Sequence, residues 1–369
     1  MRLNLPKKMH NEKSVILINY DSSYLQSRLE SIGYKVHPID YYNTKNLSIL
    51  SDRQMLKKFI DTIKINSEKI KCVYGSGLEG KSEILDSFRD SLNICGNNLD
   101  LFRKCGFIYN FENEIQESGF LIPEIFKHKS NQEINSKRTV YKPKDSCGGY
   151  GINFLSPRNE NYYSQEYIDD ETYSCSFFIR EKEFTFLGFN KLFKLCNYKN
   201  EPFIHAGASV VDNNYFSDDL VKLFEKFSIK INLNGYNSID FIYSKNSIYI
   251  IDINPRLTST FLLYNESSKN NLLKAQLDEK DCEFESLHHS LKSVSGFVHV
   301  FSKNNFKFNS PPMDIEGIFN IPSQGDYINR GEPIFSIFSC ARKYDDNIAN
   351  LRDRFQITKK YYDIYDIIF

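Results

Sequence analysis

Near the middle of the chain, Ile250-Ile-Asp-Ile-Asn-Pro-Arg256 puts a carboxylate, an amide and a guanidinium at the end of an apolar run. Side chains alternate along a strand, so Asp252 and Asn254 share one face while Ile251 and Ile253 bury on the other. Asp240, in Ser238-Ile-Asp-Phe-Ile242, belongs to the preceding strand. A hairpin closed by the three-residue loop Ser244-Lys245-Asn246, with Asn246 left-handed, sets Tyr243 against Ser247 and Asp240 against Ile250. Asp240 and Asp252 then become diagonal neighbours on one face, roughly 7–8 Å apart at the backbone. Two carboxylates and an amide at that spacing suit a hard divalent cation with oxygen ligands, namely magnesium. A two-residue loop would instead put the aspartates on opposite faces. A capped strand end explains Asp252 and Asn254 by themselves, but not together with Asp240 and Arg256.

A second constellation is Val140-Tyr-Lys-Pro-Lys-Asp-Ser-Cys-Gly-Gly-Tyr-Gly151, followed by an expected return strand, Ile152-Asn-Phe-Leu155. Glycines at 148, 149 and 151 let backbone N–H groups turn toward phosphate oxygens, and Lys142 supplies a positive charge. The lysine precedes the glycines and no helix follows, so this is not a Walker loop. A plain hairpin turn accounts for the glycines equally well when they are taken alone. Gln165-Glu-Tyr-Ile-Asp-Asp-Glu171 then ends a strand in an acidic turn. A purine can bond to the main chain of such an extended segment, with carboxylates beyond it for ribose hydroxyls. Read in isolation, it is a solvated acidic turn.

The elements that must position these groups fall into two patterns. Up to about residue 97, short apolar runs (Ser14–Asn19, Tyr34–Ile39, Lys71–Tyr74, Leu92–Cys95) alternate with helical segments at Ser22–Ile32, Leu56–Ile65 and Lys81–Asp90. That alternation predicts a doubly wound parallel sheet. It lacks GxGxxG after the first strand, which speaks against a dinucleotide site. Gly75-Ser-Gly-Leu-Glu79 stands at a strand's carboxyl end, where such sheets bind ligands, although an ordinary glycine turn reads the same. A helical stretch, Leu99–Glu117, follows. Beyond Pro123 strands dominate, which predicts an antiparallel α+β region.

Composition narrows the function. The 369 residues carry 47 Lys+Arg against 47 Asp+Glu, a balance that argues against nucleic acid as a partner. No apolar run approaches the roughly 20 residues of a membrane span, and Met1–Lys13 reads as a basic tail rather than a secretory signal. The eight cysteines form no CxxC pair and read as free thiols of a reducing cytoplasm. His288-His289 has no third ligand nearby and is not taken as a metal site.

In chain order stand Lys104, Lys142 with its glycine loop, Gln165-Glu-Tyr-Ile168, Asp240, and Asp252-Ile-Asn-Pro-Arg256. This succession resembles the ATP-grasp superfamily, the fold of biotin carboxylase and D-alanine–D-alanine ligase, from Ser14 to about Phe261. Within it, three features look most like a group described as ATP-dependent carboligases of methanogens and methylotrophs. They are Gly75–Glu79, Gln165–Ile168 running into Tyr173-Ser-Cys-Ser176, and Gly325-Asp-Tyr-Ile-Asn-Arg-Gly-Glu-Pro-Ile334. The last is also similar to a biotinyl-domain sheet, but no Met-Lys-Met attachment site is present.

The resemblance implies a mixed α/β and α+β architecture. A Rossmann-like pre-grasp domain would cover 1–97 and the ATP-grasp domain 98–277. A mobile lid at about 110–168 would hinge near Tyr109 and Ile168, and 278–369 would form a β-rich C-terminal cap. By position, Lys104 and Lys142 would contact ATP phosphates beneath Gly148, Gly149 and Gly151. Glu166, Tyr167 and Ile168 would hold adenine, and an acid such as Glu171 the ribose. Asp240, Asp252 and Asn254 would hold Mg2+, which Mn2+ can replace, and Arg256 would grip the acceptor or its transition state. The second metal-binding acid is Asp here, where relatives commonly have Glu. The implied activity is ADP-forming ligation of a small carboxylate to an amine in the cytoplasm, in one-carbon cofactor synthesis, and the family allows a homodimer. A bicarbonate-activating carboxylase and a catalytically silent nucleotide-binding module are the alternatives.

Overall fold

The first strand is buried on both faces, which is why Val15–Ile18 reads as an unbroken apolar run. In the computed structural model, residues 13–41, 44–63, 69–126, 138–155, 161–196, 198, 201–212, 214–278, 293–312 and 314–369 are described. The tail before Lys13, the end of the expected helix at 64–65, His288-His289, and parts of the expected lid (127–137, 156–160) lie outside the described residues.

The N-terminal layer runs β1 (Lys13–Ile18), α1 (Ser23–Ser31), β2 (Tyr34–Ile39), α2 (Arg53–Ile63), β3 (Ile70–Tyr74), α3 (Glu83–Asp86) and β4 (Leu92–Ile94). Its four strands pair in parallel in the order β2-β1-β3-β4. Alternation along β1 sends Ile16 and Ile18 into a core with Leu56, Ile60 and Leu85. Val15 and Leu17 enter a second core with Leu262, Leu263, Leu272 and Phe297. That second core clamps the N-terminal sheet onto the segment that follows Arg256.

The expected helical stretch at Leu99–Glu117 is broken into α4 (Leu99–Cys105), a 3-10 turn (Ile108–Phe111) and α5 (Glu112–Glu117). Asn98 caps α4 through its side chain, which accepts from the Leu101 N–H. Strands β5 (Ile125–Phe126), β6 (Thr139–Pro143) and β7 (Tyr162–Glu166) make a separate three-stranded antiparallel sheet, β5-β7-β6. The expected return strand at 152–155 is reduced to a single bridge between Tyr141 and Asn153.

Among the described residues the main sheet has nine strands. Its central part comprises β8 (Thr172–Arg180), β9 (Glu183–Leu195), β10 (His205–Val210), β11 (Gly235–Ser244) and β12 (Ser247–Asn254), with α6 (Asp218–Lys230), α7 (Phe261–Asn265) and α8 (Asn271–Gln276). The C-terminal region adds β13 (Val294–Phe301), β14 (Phe306–Lys307), β15 (Ile318–Phe319), β16 (Tyr327–Ile328), β17 (Pro333–Ala341), α9 (Tyr344–Thr358) and β18 (Ile367–Ile368). The sheet order is β12-β11-β8-β9-β10-β13-β17-β15, with β18 on β9. The C-terminal strands thus continue the same sheet. Behind β11, the fully buried Ile239 and Phe241 pack among Tyr173, Phe189 and Phe224, which turns Asp240 to the other face. Among the described residues no helix is long and apolar enough to cross a membrane, and the described cysteines form no disulfide.

Candidate active site

The β11–β12 hairpin departs from the expected geometry in two ways that cancel. Ser244 pairs with Ser247, so the turn has two residues, Lys245 and Asn246, both left-handed at φ 50° and 63°. Taken alone, that turn would separate the aspartates. However, the register shifts between Phe241, which pairs with Ile250, and Asp240, which pairs with Asp252. Ile251 is the extra residue of a β-bulge, and it brings Asp252 directly opposite Asp240. Consequently Ile250 and Ile253 are the buried pair, and Ile251 lies in a cavity wall rather than in the core.

The bulge also offers the Ile251 carbonyl to the lysine of β6: Lys142 Nζ donates to it at 2.8 Å. Burial opposes the charge on Lys142, yet Tyr163, Asp252 and Asp240 hold its pKa above the ordinary value. Asn254 Nδ2 donates to Asp240 Oδ2 at 3.3 Å, and Ser238 Oγ to Asp240 Oδ1 at 3.5 Å. Burial and then the facing Asp252 push the Asp240 carboxyl well above the usual range. Two acids forced together in a desolvated wall fit a divalent cation, which removes both penalties at once. Among the described residues there is no group of three or more His, Cys, Asp and Glu able to hold a metal; Asn254 is the further oxygen-bearing side chain beside the two aspartates.

Arg256 follows a strand end pinned by Asn97, whose Nδ2 donates to the Pro255 carbonyl at 3.1 Å. The Arg256 Nε lies 2.7 Å from Glu79 Oε1, with side chains 8% and 16% exposed. The guanidinium is therefore held through its Nε by a carboxylate from the N-terminal layer. Glu79 keeps it charged against the cost of burial, while its other oxygen accepts the Gly77 N–H at 2.7 Å. Both residues line the cavity. Glu79 was legible only as part of a glycine turn at the end of β3, with no role attached.

The glycine loop closes over the same space. Gly149 has φ 80°, and a Cβ there would come within 1.9 Å of the Phe203 carbonyl. Close backbone approach thus explains this glycine, and the His205 N–H bonding the Gly148 carbonyl at 2.9 Å holds the loop. Cys147 sits against Glu79 and Gly77, and burial pushes its thiol up to about 12. Gly148 and Gly149 line the cavity; Gly151, whose Cβ would meet the Tyr162 hydroxyl at 3.0 Å, is not among the lining residues.

Gln165, Glu166, Tyr167 and Ile168 line the other end. The N–H groups of Glu166 and Tyr167 bond the carbonyls of Glu124 and Arg138, both at 2.8 Å, so neither is open to a ligand. Buried Gln165 presents a side-chain oxygen without a hydrogen-bond partner, an acceptor suited to an exocyclic amino group. Sequence reasoning had assigned it no role.

Two expected contacts are not brought to this place. Lys104 lies in the last turn of α4, exposed, with its ammonium 4.3 Å above the Phe111 ring, and is not one of the lining residues. A cation in a last helical turn is stabilised locally by the helix dipole, and that local reason suffices here. Glu171 pairs with Lys191 at 2.5 Å and Tyr173; Asp170 is the acid that lines the cavity instead.

All these walls enclose one cavity of about 1100 Å3, which runs from Gln165–Ile168 past Lys142, Asp240 and Arg256 to the loops after β1 and β2. The volume exceeds what a small ligand needs and suits two or three substrates side by side.

Comparison with known proteins agrees with this architecture. The chain is 23% identical to an uncharacterized protein of Methanocaldococcus jannaschii, over 89% of this chain and 88% of that one. It is 33% identical to the tyramine–L-glutamate ligase of the same archaeon, over 44% of this chain and 49% of the ligase. The match therefore spans about half of that relative. In three dimensions it is similar to the L-amino acid ligase from Bacillus licheniformis, with TM-score 0.70 and 13% identity, covering 95% of this chain and 98% of that one. Residues 108–260 match the family model described as an ATP-grasp domain. The chain thus carries an ATP-grasp domain at residues 108–260 and has the ATP-grasp fold.

Proposed function

We propose that this protein is an ADP-forming carboxylate–amine ligase that works through an acyl phosphate. The observation that carries the reading is the convergence of Lys142, Asp240, Asp252, Asn254 and Arg256 on one cavity with room for nucleotide and acceptor. A substrate carboxylate oxygen attacks the γ-phosphorus of ATP and ADP departs; the amine nitrogen then attacks the acyl carbon and phosphate departs. Lys142 and the Gly148–Gly149 loop orient the phosphates, and Gln165 with Ile168 orients the base. Asp240, Asp252 and Asn254 would hold magnesium, which supplies neutralisation of charge on the phosphates. Arg256, fixed by Glu79, points a planar donor fork at the oxyanion that forms in the second step. The loop over the cavity excludes water, to which an acyl phosphate would otherwise be lost.

The partial match to tyramine–L-glutamate ligase supports an amino-acid carboxylate and a small amine as substrates. On this reading the protein acts in the cytoplasm, in the synthesis of a one-carbon-transfer cofactor of the tetrahydromethanopterin or methanofuran kind. The test is ADP release from ATP and Mg2+ with glutamate, tyramine, both, or bicarbonate. The reading requires a carboxylate and an amine together for sustained release. Release with bicarbonate alone would make the protein a carboxylase, and nucleotide binding without any release a silent module.

A further inference from the structure

Two imidazoles line the cavity without a part in the mechanism above, His205 on β10 and His299 on β13. A backbone irregularity puts the first of them there. Ala208 and Val210 of β10 face the core shared with Val15 and Leu17, and plain alternation would turn Ala206 to the same side. However, the register against β9 shifts between His205, which pairs with Lys194, and Gly207, which pairs with Phe193. Ala206 is thus the extra residue of a β-bulge and packs with Leu195 and Ile204 instead, while His205 turns to the cavity side. Gly207 permits the bulge: its φ is 146°, and a Cβ there would lie 2.2 Å from the Phe297 carbonyl.

The contacts of His205 set it between the phosphate loop and the acyl-transfer site. Its main-chain N–H holds the Gly148 carbonyl at 2.9 Å. Its Nε2 lies 3.0 Å from the hydroxyl oxygen of Ser259, which follows Arg256 closely in the chain and lines the same cavity. Burial, and then the charge of Arg256, keep the ring neutral. The residue is only half-buried. Its Nδ1 makes no hydrogen bond among the described residues and is not one of the buried polar atoms without a partner, so it opens on the cavity. His299 stands behind it at 6.0 Å between centroids, its own Nδ1 lying 2.7 Å from Ser336 Oγ.

An imidazole with one nitrogen fixed and the other open can accept a proton. With Nε2–H donated to Ser259, Nδ1 carries the lone pair, and after protonation the same hydroxyl still accepts from Nε2–H. Acyl transfer releases such a proton, because an amine that has bonded the acyl carbon carries one hydrogen too many. Positive charge near the ring comes from Arg256 and from Lys194, the cross-strand partner on β9. It opposes a proton on His205 until the anionic acyl phosphate offsets it, so the ring gains basicity with the intermediate in place.

We propose that His205 is the proton acceptor of the acyl-transfer step. The free amine nitrogen bonds the acyl carbon, phosphate departs with the electron pair of the broken C–O bond, and the surplus proton on nitrogen passes to Nδ1. The inference rests on the ligase reading and adds a catalytic residue to its second step alone. Formation of the acyl phosphate moves no proton and does not need it.

The full chain with ATP, Mg2+ and glutamate, or another amino acid that supports ADP release, tests the two steps separately. Positional isotope exchange in ATP labelled with 18O at the β,γ-bridge reports acyl-phosphate formation. Amide formation with tyramine or ammonia reports the transfer. His205→Gln keeps a donor for Ser259 and removes the open ring nitrogen. It should leave isotope exchange and AMP-PNP affinity as in the wild type, and slow amide formation by about 10²- to 10⁴-fold, the range of general base catalysis. In His205→Gly, added imidazole should restore part of the amide rate, a rescue that a purely structural loss would not show. Amide formation by His205→Gln at the wild-type rate would overturn the proposal. Equal loss of exchange and amide formation would also overturn it, and would make His205 a support for the glycine loop. A wild type that catalyses neither step would refute the ligase reading itself.

Discussion

Asp240→Asn should make the metal-free protein more stable and the enzyme inactive, because Asp240 and Asp252 are direct cross-strand partners. Cross-strand neighbours hold their side chains about 5 Å apart, and two unit charges at that distance repel by about 3 kcal/mol at an effective dielectric of 20. Lys142 and Arg256 lower the Asp240 pKa and offset part of this, which leaves a gain of about 1–3 kcal/mol for the amide. The sign with pH follows from linkage. The folded pKa of Asp240 is raised, so the folded protein binds the proton more tightly than the unfolded chain. The contribution of Asp240 to wild-type stability should therefore fall as pH rises above the ordinary carboxylate range, opposite in sign to that of the cavity histidines. Urea denaturation without metal should show the variant ahead at pH 8 and level with wild type at pH 5. Mg2+ with AMP-PNP at about 100 times its Kd should add about 2.7 kcal/mol to the wild type and much less to the variant. ADP release should drop by at least about 100-fold. A variant less stable than wild type at pH 8, or one stabilised equally by Mg2+ and nucleotide, would refute the assignment of this pair to a cation.

Three further outcomes are expected. Lys142→Met keeps the stem but loses the ammonium that bonds Ile251, and should weaken ATP by about 10- to 100-fold in calorimetry while leaving the fold intact. Gly149→Ala places a methyl on the Phe203 carbonyl at a left-handed φ, so the loop should fail to close; limited proteolysis should show cleavage near Cys147 that ATP no longer suppresses. The cavity histidines are held neutral by burial, His205 with a pKa of about 4 and His299 of about 3. Depressed folded values mean that the unfolded chain takes up protons first. Stability should therefore fall as pH drops below about 6.5, by about 1 kcal/mol per histidine per unit, and His205→Asn with His299→Asn should flatten that slope in urea denaturation between pH 7 and 5.

The chemistry was legible wherever a local pattern carries it. The apolar runs of β1 and β3, the lysine in β6 with the glycines beyond it, and the Asp252-Ile-Asn254 end of β12 all announce themselves within a dozen residues. What failed depends on contacts between distant segments. The two-residue turn at Lys245-Asn246 and the bulge at Ile251 are separate backbone events, and side-chain alternation reveals only their sum, the common face of Asp240 and Asp252. Whether Lys104 reaches a phosphate depends on its rotamer over Phe111, which no spacing encodes. Glu79 and Arg256 meet because Val15 and Leu17 pack the first sheet against Leu262 and Leu263, a tertiary cause. The joining of β13 to β10 is likewise a choice of strand partner, and many apolar strands would satisfy it equally.

The central claim is that phosphate passes through the substrate's carboxylate. It is tested most directly with glutamate, or whichever carboxylate supports ADP release, labelled with 18O in its carboxyl groups. After turnover with ATP, Mg2+ and an amine, the expected result is ADP together with inorganic phosphate that carries one 18O atom per molecule, seen by 31P NMR. Unlabelled phosphate, or AMP and pyrophosphate as products, would contradict an acyl-phosphate ligase.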